Sequence, residues 1–122
     1  METINIIRKH VKSSITHYAD LQPALGSRTL ASITSLLCSD STMTATSGTV
    51  LSADTTVTRV ERDEAGNTTT TTYVIAANKG ISMLLAGGTT NSGCVKVRVI
   101  YVDSSGETDA VDCLVSVHGV ST

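Results

Sequence analysis

A chain of 122 residues with 40% apolar content can bury a core as one domain, without a metal or a disulfide framework to hold it. Aromatic content is 2%, with no Phe and no Trp, so the core must come from Val, Ile, Leu and Ala, and abundant Val and Thr lean the chain to β-structure. A formal net charge of −2, nine thinly spread Lys and Arg and few stacking rings argue against a nucleic-acid surface, and no apolar run reaches the ~20 residues of a helical membrane span.

Residues 1–13 read as an N-terminal arm. In "METINIIRKHVKSS" the basic residues follow the short apolar run, the reverse of a signal peptide, so secretion by the usual route is not expected. Ile4, Ile7, Val11, Ile15 and Tyr18 fall at helical spacing, yet Val, Ile, Thr and Ser are poor helix formers, which leaves helix and extended chain both open for the arm. A first strand is predicted near Ile15–Leu21, punctuated by Pro23 and Gly26. "TLASITSLLC" (29–38) is a second, broken by "SDS".

"TMTATSGTVLS" predicts two short strands about Ser47-Gly48. "TTVTRVERDEAGNTTTTTYVIA" predicts a β-hairpin near 54–76, a Thr-coated solvated ribbon turning at "DEAGN". "NKG" turns the chain at Asn78–Gly80, and "ISMLLAGG" is a short apolar strand. In "CVKVRVIYV", Val95, Val97, Val99 and Tyr101 share one face and Lys96 and Arg98 the other. In "AVDCLVSVHG", Val111, Cys113, Val115 and Val117 lie opposite Asp112, Leu114 and Ser116. Period two with a polar outer face predicts antiparallel strands with one side on a core. The whole predicts an all-β chain of about seven or eight strands, with 14–122 as a single sandwich domain after the arm.

The acidic stretch "VIYVDSSGETDAVDCLV" is the first candidate for chemistry. A calcium loop would need oxygen ligands at positions 1, 3, 5 and 12 with Gly at 6. Counted from Asp103, Gly106 stands at 4. Strand parity sets Asp112 and Asp109 apart, so the carboxylates do not converge. The stretch reads instead as a type I turn over Asp103–Gly106, with Asp103 accepting from the backbone two residues on and an exposed tip. His10, His17 and His118 have no partner at ligand spacing, and no nucleophile elbow or phosphate loop is present. Cys38, Cys94 and Cys113 are odd in number and widely spaced, which reads as free, mostly buried thiols. A catalytic role, a cofactor and a metal are therefore not expected.

"YADLQPALGSRTLASITS", with Asp20, Leu21, Leu25, Gly26 and a strand from Leu30, resembles the opening pattern of a family of small accessory virion proteins of tailed bacteriophages. "LAGGTTNSGCVKVRVIYVDSSGETDAVDCLVSV" resembles the same family's closing pattern: a Gly-Gly, a small-residue loop, an alternating strand, a Ser-Gly turn and a last alternating strand. The likeness spans about two-thirds of the chain. It departs at Leu21, where the family has an aromatic, and at the "TRVERDEAGNTTTTTY" hairpin.

The resemblance implies an immunoglobulin-like β-sandwich acting as a head decoration or cement protein, a head fibre or a tail adaptor. The expected function is non-catalytic reinforcement of a phage capsid, in a virion assembled in the host cytoplasm. The alternatives are a neck, tail or fibre component, or a cell-surface adhesive module binding a glycan or host protein. Expected partners are the major capsid protein or neck and tail proteins, and further copies of the chain in a homo-oligomer. The residues expected to touch them are Ile4, Ile6, Ile7 and Val11 of the arm, too apolar to be left in water, and Arg59, Arg62 and Glu64 of the ribbon, as charges setting register along a strand edge.

Overall fold

Alternation is most regular in the last third of the chain, and there it builds the centre of the larger sheet. In the computed structural model, which describes residues 2–10, 14–62, 65–88 and 94–118, nine strands and one helical turn follow in order. They are β1 (Glu2–His10), β2 (Ser14–Asp20), α1 (Gln22–Leu25), β3 (Leu30–Cys38), β4 (Met43–Val50), β5 (Thr55–Arg62), β6 (Thr68–Ile75), β7 (Gly80–Gly87), β8 (Cys94–Asp103) and β9 (Thr108–His118).

One sheet has the order β1-β9-β8-β3, a second β2-β7-β4, and β5-β6 form a third by themselves. Set aside β1 and the β5–β6 pair, and the remaining strands reproduce the two-sheet plan of an immunoglobulin-like sandwich. The second, fifth and fourth strands of that plan are β2, β7 and β4; the third, sixth and seventh are β3, β8 and β9. The two sheets bury their inner faces on each other. Val95, Val97, Val99 and Tyr101 of β8 and Val111, Cys113, Val115 and Val117 of β9 meet Ile81, Met83 and Leu85 of β7, with Ala19, Met43, Leu21, Leu25 and Leu30 closing the core. Tyr101 is the largest of the fully buried side chains, so the missing Phe and Trp are replaced by many interlocked β-branched residues.

Two sequence expectations change, and one left open is decided. Residues 2–10 of the arm form the strand β1, which pairs in parallel with β9, from Glu2 opposite Val111 to His10 opposite His118, so the sandwich is not wholly antiparallel. A register shift between Ile4 and Ile6 breaks the two-residue period, which is why Ile4 and Ile7 fall at helical spacing. Residues 43–50 are one strand, not two. Ser47, at φ 57°, sits in an irregularity of the β4–β7 pairing between Thr46 and Thr49, so a turn signature marks a bulge. Pro23 lies in the first turn of α1, where its missing N–H costs nothing and the Asp20 carboxylate accepts from the Gln22 N–H at 3.0 Å. The hairpin stands as expected, in register from Thr55 opposite Ile75 to Arg62 opposite Thr68.

Candidate interaction site

One end of the sandwich gathers α1, the turn at 76–79 and the turn at 103–107. Backbone bonds tie them together: Leu21 N to Lys79 O, Leu30 N to Asn78 O and Ser104 N to Thr29 O, each at 2.8 Å. The Lys79 ammonium donates to the carbonyls of Gly26 and Arg28. Asn78 turns the chain at φ 60°, in the left-handed region that Asn tolerates.

Asp103 is at the centre of this end. One carboxylate oxygen accepts from the Ser105 N–H at 2.9 Å, from the Ser105 hydroxyl and from the Glu107 N–H at 3.1 Å. The other accepts from Arg28 Nη1 at 2.6 Å. Arg28 spends its remaining fork on the last carbonyls of α1, Nε to Leu25 O and Nη2 to Ala24 O, both at 3.3 Å. The predicted turn is present, closed by Gly106 N to Asp103 O and by Gly106 at φ 87°. The expected exposure is not: Asp103 is 1% exposed. The Ser105 hydroxyl above all, then the backbone donors and Arg28, hold its carboxyl below the usual range.

Such a carboxylate is saturated by its own chain and fastens two loops. Asp109 accepts from the N–H of Ala110, and Asp112 binds Arg98 across the outer face of β8 and β9 at 3.0 and 3.3 Å. The acidic stretch thus sends its aspartates to separate partners.

The Arg98–Asp112 pair lines a shallow hollow of about 250 Å³ with Leu37, Cys38, Ser39 and Lys96. Burial raises the Cys38 thiol in this hollow, which favours its protonated form. All three cysteines are free; Cys94 is exposed, while Cys113 is buried and pushed up to about 12. No group of three metal-ligating side chains occurs among the described residues.

The ribbon is different. Residues 68–74 are exposed throughout, with Val74 at 56% and Tyr73 at 37%. At its base Ile75 is fully buried, the Asp54 carboxylate accepts from the Ala77 N–H at 2.8 Å, and Leu51 O accepts from the Asn78 N–H at 2.7 Å. The ribbon therefore leaves the body at the end organised by Asp103. Beyond its base, β5 and β6 share no sheet with any other described strand.

Of the residues expected at an interface, Arg59 stands opposite Thr71 and Arg62 opposite Thr68 on this ribbon, while Glu64 lies outside the described residues. Ile4, Ile6 and Ile7 stand opposite Cys113, Leu114 and Val115 at the edge of the four-stranded sheet, and Val11 lies outside the described residues. The two groups occupy separate sheets. Sequence reasoning missed Arg28. Its one local signal is a cation just beyond a short helical turn, since Asp103 is 75 residues away.

Comparison with known proteins finds no match: no family model, no curated protein and no solved structure corresponds to the chain.

Proposed function

We propose that this chain is a non-catalytic structural protein of a tailed-phage virion, a capsid decoration protein that binds the major capsid protein and reinforces the particle. The observation that carries the reading is the β5–β6 ribbon. It is a strand pair that shares no sheet with the sandwich, and its second strand is exposed from Thr68 to Val74. Each of its strands has only one paired neighbour among the described residues, so each keeps a row of backbone donors and acceptors for another chain. The immunoglobulin-like strand order and the likeness of the opening and closing stretches to accessory virion proteins support the same assignment. β1 lies at the edge of the larger sheet and adds a second edge of this kind.

Mass spectrometry of purified particles tests the reading through copy number. Copies in the hundreds, matching a capsid lattice, are expected. About six or twelve would place the protein on a symmetric neck or tail ring. Absence from particles sinks the virion assignment.

A further inference from the structure

A two-stranded ribbon is at best marginally stable in water, and three or more strands are needed for a sheet to stand alone. This ribbon spans eight residues in each strand and shares no sheet with the rest of the described chain. Its sequence says how it is completed. β6 reads "TTTTTYVI", an edge with no charge to fix a register. β5 reads "TTVTRVER", with Arg59 and Glu61 flanking Val60.

We infer that β5 is a self-recognition edge: two copies of the chain pair their β5 strands antiparallel about Val60, forming the four-stranded sheet β6-β5-β5-β6 across a two-fold axis. The register follows from arithmetic on β5. In antiparallel pairing about a two-fold, residues equally far on either side of the centre stand opposite each other on one face. Centred on Arg59, the pairing sets Arg against Arg. Centred on Glu61, it sets Glu against Glu. Centred on Val60, it sets Arg59 opposite Glu61 of the second copy, and the two-fold repeats that pair. Opposite charges across strands stabilise a sheet and like charges oppose it, so among the charges within Thr55–Arg62 the register centred on Val60 is favoured over its two neighbours. The adjoining Val57–Tyr73 pair then lies on the same face as these charges. This inference stands on the ribbon alone and does not need the virion reading.

The test is sedimentation of the full chain over a concentration series, with charge-reversal variants. The wild type is expected to dimerise, more weakly as salt is added. Arg59→Glu and Glu61→Arg each replace two attractive pairs by two like-charge pairs and are expected to weaken the dimer about tenfold or more. Mixed together, the two variants regain complementary charges and are expected to form a heterodimer that neither forms with itself. The double exchange Arg59→Glu/Glu61→Arg is expected to dimerise like the wild type. Thermal melts that match the wild type show that each variant is folded. A wild type that stays monomeric at every soluble concentration overturns the inference. So does a dimer indifferent to single reversal, or a mixture of the two variants that remains monomeric.

Discussion

Asp103 accepts from Ser105 two residues on and from Arg28, which lies just ahead of β3, so one buried carboxylate ties the turn at 103–107 to the end of α1. The consequence appears in acid. The folded pKa of Asp103 is depressed, so its charged form is favoured by folding. That contribution is complete above the unfolded carboxylate range of about 4 and is lost as pH falls through the lower, folded value. Asp112, held down chiefly by its bond to Arg98, adds to the same acid limb. Asp103→Asn is expected to lower the melting temperature at neutral pH and to flatten its fall below about pH 4, because the amide does not titrate there. Asp109→Asn, where the carboxylate serves one exposed N–H, is expected to change little. Melting curves recorded across that range decide it; an Asp103→Asn curve running parallel to the wild type would remove Asp103 from the acid limb.

Among elements, legibility follows how cleanly a strand alternates. β8 and β9 are plain in the sequence because apolar residues alternate along each, and every second position, from Val95 to Tyr101 and from Val111 to Val117, is buried in the core. β1 was obscured by its register shift, and by its parallel pairing to a strand more than a hundred residues later, which no local pattern announces. β4 was split in reading because Ser47-Gly48 serves equally well as a turn or as a bulge.

The ribbon was legible as a hairpin, but where it meets the core is a matter of one residue. Val74 is 56% exposed and Ile75 is fully buried, packed beside Gly80. Ile75→Ala is expected to cost about 2–5 kcal/mol, as for other buried Ile truncations, and Val74→Ala no more than about 0.5 kcal/mol. Chemical denaturation of the two variants measures the contrast. Equal losses would mean that the core extends further up the ribbon than these exposures indicate.

At the scale of the molecule, the sandwich and the ribbon are distinct in what they contribute. Every residue of the main core cluster lies outside 51–80, so the apolar contacts that hold the two sheets together owe nothing directly to β5 or β6. What the ribbon shares with the body is its base, where Ile75 is buried, Asp54 accepts from Ala77 and Leu51 accepts from Asn78. Replacing residues 57–73 by Asn-Gly keeps all of these and closes the Thr56–Val74 pair with a two-residue turn suited to a hairpin. The shortened chain is expected to fold, to melt cooperatively within a few degrees of the intact monomer, and to keep Cys113 shielded from thiol reagents until it unfolds. It is expected at the same time to lose association through β5, since the strand that carries Arg59, Val60 and Glu61 is gone. Calorimetry and sedimentation on the same preparation separate the two effects. A loss of cooperative melting would make the ribbon part of the folding unit. Unchanged stability with unchanged association would move recognition away from the ribbon, to the edge formed by β1.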